Sequence, residues 1–461
     1  MKEKKIFDAI TNVSDELIEE ANNTKLKRKT TWYKWTAVAA SFLLVLVIGL
    51  IYSDKYNGYS KAGAILDVVY PKAYAFEDID AWWEILEQNP VDDDFIEAVN
   101  EFSFKTSASI LKDAGKNINY SPLSLYFALS LAASGADGDT QADFLALLNV
   151  SDIKTLSEQC GNLYRLLYRD NEISKLKIAN SIWMSNEFNG KPIIFKNEFV
   201  KNAAENFYAT SHSIDFTNKE AGKAMADWIS ENTNGTLSPV IETNPEQLLT
   251  IINTVYFYDE WINRFDKEKT AEDLFHLSNG NTVKVDFMNQ TIASASFSKE
   301  EGFTRAGLEL KNAGKMIFIL PDEGFSPYSL ISTPEQVRKI FDGEDNLFGE
   351  VVWKIPKFSF GSRLNFTDNL KSLGIKSPFE ANADFSRITD QLAFITDVHQ
   401  ETHISIDEIG VEASAFTQID YNGSVLPEDR AEMILNRPFI YGIQSENGIL
   451  LFVGVCENPA E

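Results

Sequence analysis

The sequence predicts an α+β fold for most of its 461 residues. Helix signals come first: serine followed by proline starts a helix at Ser121-Pro122, and Asp139-Thr140 caps the next one. Strand signals dominate later, where residues 249–258 and 393–407 are rich in β-branched and aromatic residues. An Asn279-Gly280 turn joins two further strand-like runs. This order, with helices before strands, is typical of α+β domains.

The N-terminal region contains a candidate membrane anchor. Residues 36–52 are uncharged and at the short end of the length that spans a bilayer. They are flanked by aromatic residues of the kind found at membrane interfaces, Trp32, Tyr33, Trp35 and Tyr52. The basic cluster at 25–29 predicts, by the positive-inside rule, that residues 1–35 form a cytoplasmic tail.

A cleaved signal peptide is the alternative reading of this segment. The region before the apolar stretch is long for a signal peptide, and no small-x-small cleavage site follows closely. We therefore expect residues 36–52 to remain as a single transmembrane helix, with residues 53–92 as an extracytoplasmic spacer. The large exported domain is then predicted to cover residues 93–461.

Composition indicates a globular domain and excludes some partners. Hydrophobic residues make up 44% and charged residues 24%, which is enough for a large core. A net charge of −26 argues against nucleic acid and against anionic lipid as partners. The two cysteines, Cys160 and Cys456, do not form a disulfide framework, so we expect free, buried thiols.

Catalytic and metal-binding motifs are poorly supported. The sequence has four histidines and neither a Gly-x-Ser-x-Gly nor a His-Glu-x-x-His motif. Asp397, His399, Glu401 and His403 have the residue types of metal ligands. On a strand, however, His399 and His403 lie about 13 Å apart, too far for one ion. We therefore expect no enzyme activity, no metal and no cofactor.

A long polar connection occupies residues 417–433, between a strand-like run and an apolar segment. Such connections usually carry function, and exposed loops are where proteases cut. A run of small residues, 410–415, precedes it. In extended conformation Val411, Ala413 and Ala415 would share one side, and Glu412, Ser414 and Phe416 the other. The first set is small enough to enter the core of a sheet.

Several short motifs occur in a fixed order from about Asp94 to Glu461. They are Asn119-Tyr120-Ser121-Pro122-Leu123-Ser124, Asn253 within 251–257, Trp261, Lys357 within 355–358, His399 within 397–399, the segments 408–415 and 436–439, and 452–454. Together they resemble the serpin family, the serine protease inhibitors. The resemblance implies three β-sheets, eight or nine helices and an exposed reactive loop, here in a membrane-anchored member of prokaryotic type.

The resemblance also implies roles for individual residues. The hinge of the reactive loop would comprise Glu408, Gly410, Val411, Ala413 and Ala415. The shutter, beneath the central sheet, would comprise Ser121, Ser124, Asn253 and His399, with His399 bonded to Asn253. The breach, at the top of that sheet, would comprise Trp261, Lys357 and Glu408. One departure stands out, because Asp259 and Glu260 precede Trp261 where the family usually has glycine and lysine.

The function that the resemblance implies is inhibition of a serine protease by a one-use trap. Counting from Glu408 places the cleaved bond at Ser424–Val425, or one residue later at Val425–Leu426. Counting back from Pro438 reaches Pro427 instead. No lysine or arginine occurs from Gly410 to Asp429, which favours an elastase-like or subtilisin-like target. We expect a monomer; the alternative is a non-inhibitory, membrane-anchored module for binding or signalling.

Overall fold

The computed structural model describes residues 63–66, 68–112, 114–188, 190–312, 314–396, 398–411 and 429–461. Within these ranges it contains nine α-helices and three sheets, in agreement with the predicted fold. The predicted cytoplasmic tail and transmembrane helix, residues 1–52, and most of the predicted reactive loop, residues 412–428, lie outside the described residues. Among the helices that are described, none has the length and apolarity needed to cross a membrane.

The helices lie mainly in the first half of the chain. They are α1 Ile79–Gln88, α2 Asp93–Leu111, α3 Pro122–Gly135, α4 Gly138–Leu148, α5 Ile153–Leu167, α6 Asn197–Asn206, α7 Lys219–Asn232, α8 Pro334–Asp342 and α9 Thr367–Ser372. Their starts follow from local chemistry: Ser121 caps α3 by accepting a hydrogen bond from the amide of Ser124, and Pro122 occupies the first turn.

Strands dominate the second half. They are β1 Gly63–Leu66, β2 Ile118–Tyr120, β3 Arg169–Asp170, β4 Lys175–Ser185, β5 Glu187–Phe188, β6 Lys191–Pro192, β7 Ala209–Ile214, β8 Leu249–Glu260, β9 Ala271–His276, β10 Thr282–Glu300, β11 Phe303–Glu309, β12 Lys315–Pro321, β13 Leu347–Pro356, β14 Phe358–Asn365, β15 His399–Ile406, β16 Gly410–Val411, β17 Asp429–Ile434, β18 Phe439–Gln444 and β19 Leu450–Cys456. The predicted Asn279-Gly280 turn joins β9 to β10, with Gly280 at a φ of +83°.

The central sheet has eight strands in the order β1-β7-β4-β8-β16-β15-β14, with β3 beside β4. A long antiparallel ladder joins β4 to β8, and another joins β14 to β15. The described residues contain no ladder between β8 and β15 themselves, which are linked only through the two residues of β16. The sheet is therefore divided along most of its length by a gap between β8 and β15.

The second sheet has nine strands in the order β17-β13-β10-β11-β12-β18-β19-β2, with β9 beside β10, and the third is the β5-β6 ribbon. Helix α3 contacts both β8 of the central sheet and β19 of the second sheet. Nearly all of its residues are buried, which explains why its sequence is apolar on every side. Helix α3 is therefore packed in the core between the divided central sheet and the second sheet.

Part of the predicted spacer, residues 63–66 and 68–92, contains a strand and a helix that contact the rest of the domain. Strand β1 pairs with β7 at the edge of the central sheet. Tyr70 stacks on Tyr168 with ring centroids 6.1 Å apart, and Asn89 accepts a hydrogen bond from Arg165. A four-residue strand and one short helix give little periodic signal, so the sequence pattern did not reveal them.

Both cysteines are free and buried, as predicted. Burial raises the pKa of the Cys160 thiol to about 12. A thiol with so high a pKa is protonated at neutral pH and is a poor nucleophile. Cys160 therefore acts as a small apolar side chain within the core.

Candidate functional site

The predicted hinge enters the gap of the central sheet. Gly410 pairs with Glu260 of β8, and Val411 pairs with both Asp259 of β8 and Ile406 of β15. Both pairings are antiparallel, and Val411 is only 3% exposed. A Cβ atom on Gly410 would lie 2.2 Å from the carbonyl oxygen of Asp259, so only glycine allows this close approach.

The direction of the hinge follows from this register. From Gly410 to Val411 the partner on β8 changes from Glu260 to Asp259, that is, back along β8 towards its start. An extended chain that continued in this direction would run down the gap. The edges of β8 and β15 present backbone donors and acceptors there, and such edges can accept an additional strand. The gap is therefore oriented to receive the residues that follow Val411.

The predicted breach residues meet beside the hinge. The Lys357 ammonium donates to both carboxylate oxygens of Glu408, at 3.2 and 3.0 Å, and Thr270 donates to Glu408 at 2.8 Å. Trp261 is fully buried, and its indole N–H donates to the carbonyl oxygen of Asp407 at 3.0 Å. These contacts fix the turn that leads from β15 into β16.

Glu408 is only 4% exposed. Burial opposes its ionisation, but hydrogen bonds from a backbone amide, Lys357 and Thr270 outweigh that effect and hold its pKa below the ordinary carboxyl value. A depressed pKa in the folded state means that the contribution to stability is present above the unfolded pKa and is lost as the pH falls through the folded pKa.

The breach ion pair therefore predicts an acid-sensitive contribution to stability. We expect Lys357→Met to lower the free energy of unfolding at pH 7 by about 1 kcal/mol, because Lys357 is partly exposed and solvent screens the pair. Below the ordinary carboxyl pKa of about 4.3 the difference from wild type should shrink towards zero. Thermal unfolding across this pH range measures it. The control is Lys284→Met, which breaks an exposed pair with Glu272; a constant deficit from pH 7 to pH 3 would contradict the assignment.

The unusual acids before Trp261 form a buried charge cluster. Glu260 is 1% exposed, and its carboxylate contacts Arg264 at 2.5 Å and Lys311 at 2.7 Å. Asp259 is also buried and accepts a hydrogen bond from the backbone amide of Asn312 at 3.2 Å. The two acids thus have one partner close in the chain, Arg264, and two from a distant segment, Lys311 and Asn312. Sequence reasoning did not find this cluster, because only Arg264 lies close to Glu260 in the chain.

The shutter residues connect α3 to β8. Asn253 of β8 accepts a hydrogen bond from Ser124 and donates to Asn180 of β4 at 2.6 Å. The resemblance implied His399 as the partner of Asn253, but Asn253 makes these bonds to Ser124 and Asn180, and His399 lies exposed at the start of β15. The side of the gap formed by β8 is therefore held by the first turn of α3.

The other side of the gap is held by a residue that sequence reasoning missed. Gln400 of β15 accepts a hydrogen bond from the backbone amide of Ser121 and donates to its carbonyl oxygen, both at 2.9 Å. Ser121 in turn donates to the carbonyl of Leu451 at 2.7 Å. Side chains alternate between the two faces of β15, and Gln400 lies on the buried face whereas its neighbour His399 is exposed. This alternation is the signal that could have identified Gln400 from the sequence. Helix α3 thus connects β8 and β15 across the gap.

The other predicted site residues fall into two groups. Ala413, Ala415 and the predicted bond residues Ser424, Val425 and Leu426 lie outside the described residues. The region of the suspected metal ligands is a strand, as the distance argument assumed, and there Glu401 pairs with Arg363 at 3.2 Å.

Comparison with known proteins identifies the architecture. The family model for serpin (serine protease inhibitor) matches residues 97–459. The chain is similar to Serpin-Z7 of Hordeum vulgare, with 28% identity over 385 residues that cover 78% of this chain and 95% of the relative. It is similar to Serpin A3-6 of Bos taurus, with 29% identity over 375 residues that cover 78% and 87% of the two chains.

Solved structures agree with this result. The thermophilic serpin tengpin in its native state has a TM-score of 0.73 and 27% identity, covering 86% of this chain and 99% of its own. Serpin48 of the insect Tenebrio molitor has a TM-score of 0.69 and 28% identity, covering 80% and 98%. The family model covers most of the chain, and the strands on both sides of the gap, β8 and β15, lie within the matched region. The chain belongs to the serpin family of serine protease inhibitors.

Proposed function

We propose that this protein is a one-use suicide inhibitor of an elastase-like or subtilisin-like serine protease. The observation that carries the proposal is the position of β16, which lies between β8 and β15 and is directed down the gap between them. Because Gly410 and Val411 already pair with these strands, cleavage of the loop is enough to free the following residues to extend β16 into the gap. Membership of the serpin family supports protease inhibition in general. The mechanism that we propose for this chain has two steps.

The first step is attack by the target protease on the reactive loop. Its serine oxygen adds to the carbonyl carbon of Ser424, or of Val425, and an acyl ester forms as the peptide bond breaks. The proton from the serine passes through the histidine of the protease to the departing amine, which becomes the new N-terminus of the C-terminal fragment. The protein itself supplies the bond that is cleaved and no catalytic group.

The second step is insertion of the released segment into the gap. About fourteen residues at ~3.3 Å each would move the attached protease on the order of 45–50 Å. The new strand would pair with β8 on one side and β15 on the other, adding main-chain hydrogen bonds. Trapping requires that this movement distorts the active site of the protease before water hydrolyses the ester. The uncut form is then a kinetically trapped state.

A non-inhibitory binding or signalling module is the second candidate. The same fold could present its surface to a partner without inserting a strand. The small side chains predicted on the inward side of the hinge and the gap in the central sheet favour inhibition, because neither is needed for binding alone. An SDS-stable complex with a protease distinguishes the two candidates.

The proposed target class gives a direct test. We expect the purified protein to form an SDS-stable complex with a pancreatic elastase and to leave trypsin uninhibited, because a basic side chain is required by the buried acid of the trypsin pocket. If the bond is Val425–Leu426, Val425→Arg should reverse this preference, and Val425→Ala serves as the control that keeps a small apolar side chain. If the bond is Ser424–Val425, the corresponding change is Ser424→Arg. Mass spectrometry of the released fragment locates the bond. A fragment that starts at Ala431, after Arg430, would contradict both the register and the specificity.

We further propose that residues 36–52 anchor the inhibitor to a membrane, with residues 1–35 in the cytoplasm and the inhibitory domain outside, as a monomer. The support is the apolar, aromatic-flanked segment with basic residues before it. Protease added to intact cells should then remove the domain and spare the tail. A mature N-terminus near Ala64 or Ala75 would show cleavage and secretion instead.

A further inference from the structure

A cavity of about 260 Å³ lies between α1 and the body of the domain. Its walls are mainly apolar and come from α1, α5 and β4, with the side chains Trp82, Leu86, Leu166, Leu167 and Leu176. This volume suits a molecule of fragment size rather than a large ligand. The cavity lies outside the hinge, breach and shutter described above.

One wall of the cavity contains a buried arginine. Arg169 is 7% exposed, and its Nη1 donates to the carbonyl oxygens of Leu166 and Tyr168, at 2.6 and 3.1 Å. Its guanidinium lies 5.2 Å from the centre of the Tyr74 ring. Among the described residues no carboxylate forms an ion pair with Arg169, and its Nε is buried without a hydrogen-bond partner. A buried charge that no carboxylate contacts directly is costly.

A second donor lines the same cavity. The side-chain Nδ2 of Asn312 is also buried without a hydrogen-bond partner within the described ranges. The side-chain Nδ2 of Asn447, a third residue of the cavity wall, is likewise buried without a partner within those ranges. Native proteins leave few such donors unsatisfied, so three on one cavity indicate an acceptor. Glu446 lines the cavity as well and is exposed; its charge and that of Asp259 act on Arg169 from a distance, but neither carboxylate forms an ion pair with it among the described residues. The unsatisfied groups are thus all donors, and one of them is a cation.

We propose that this cavity binds a small organic carboxylate with an aromatic or branched aliphatic body. The apolar body contacts the leucine and tryptophan side chains, and the carboxylate accepts from Arg169 and Asn312. A carboxylate has two acceptor oxygens and can form a direct, charged hydrogen bond with the guanidinium. A neutral apolar molecule would leave both donors unsatisfied.

The position of the cavity connects it to the hinge. Asn312, which lines the cavity with its side chain, donates its backbone amide to Asp259, and Asp259 pairs with Val411. A ligand that fixes Asn312 therefore acts on the partner strand of the hinge. This consequence rests on the proposed function, whereas binding itself does not.

The test is calorimetry of the full-length protein with 4-phenylbutyrate and with 4-phenylbutyramide, which has the same shape and no charge. We expect saturable binding of the acid, about tenfold tighter than the amide, because charged hydrogen bonds are stronger than neutral ones. Arg169→Met should remove this preference, and Arg363→Gln, which removes an exposed charge on β14, should retain it.

A second variant keeps the test decisive if Arg169→Met does not fold. Leu86→Trp fills the cavity from α1 at a residue that is 37% exposed, and it should abolish binding while thermal unfolding stays unchanged. Equal affinity for acid and amide, binding that survives both variants, or no saturable binding up to about 5 mM would overturn the proposal. No protease is present in this experiment, so its outcome is independent of the proposed inhibition.

Discussion

Ala413→Arg is expected to turn the inhibitor into a substrate. Val411 is buried in the gap, and strand alternation places Ala413 on the same side two residues later. Insertion would then bury a guanidinium without a partner, which costs several kcal/mol and slows insertion relative to hydrolysis of the ester. Since ~1.4 kcal/mol changes a rate ratio tenfold, we expect the moles of inhibitor consumed per mole of elastase to rise at least about tenfold.

The matched control for this prediction is Ser414→Arg. It adds the same charge and bulk one residue further on, where the side chain would face the opposite side of the inserted strand. We expect it to retain most of the SDS-stable complex, whereas Ala413→Arg should yield mainly cleaved inhibitor. If the two variants behave alike, or if Ala413→Arg traps elastase at the wild-type ratio, the inward assignment of Ala413 is wrong.

Motifs that are local in the sequence predicted much of this site. The pattern Ser121-Pro122 starts a helix whose first turn holds the sheet, and Glu408, Lys357 and Trp261 meet at the start of β16. Each of these positions was identified from the order of short motifs along the chain. That order also predicted the number of helices and sheets, because it indicates a family whose architecture is shared.

Contacts between distant segments could not be predicted in the same way. Glu260 is paired with Lys311, 51 residues later, and Ser121 with Gln400, 279 residues later. No periodicity or spacing rule relates such positions, so only the folded chain reveals them. The strand β1 was missed for a related reason: four residues gain stability only by pairing with β7, and carry no pattern of their own.

The hinge shows how local and distant information combine. Small residues at 410–415 predicted a segment that could enter a sheet, but not which strands would receive it. The pairing of Val411 with Asp259 and Ile406 supplies that answer. It also explains the glycine at 410, where the backbone of β8 leaves no room for a side chain.

In the proposed mechanism, the uncut protein is less stable than the form in which the loop has entered the gap. Cleavage within residues 423–426 releases the loop, and about fourteen residues can then pair with β8 and β15. Each net hydrogen bond contributes about 0.5–1.5 kcal/mol, so the gain is large compared with the stability of a typical domain.

The most direct test is thermal unfolding of the purified protein before and after a single cut in 423–426 by a protease that it does not trap. We predict that the midpoint rises by on the order of 20 °C or more, since insertion adds on the order of 10 kcal/mol. The same measurement on cleaved Ala413→Arg should show a much smaller rise, because the charge opposes insertion. A midpoint that stays the same or falls after cleavage of the wild-type loop would contradict insertion and with it the proposed mechanism.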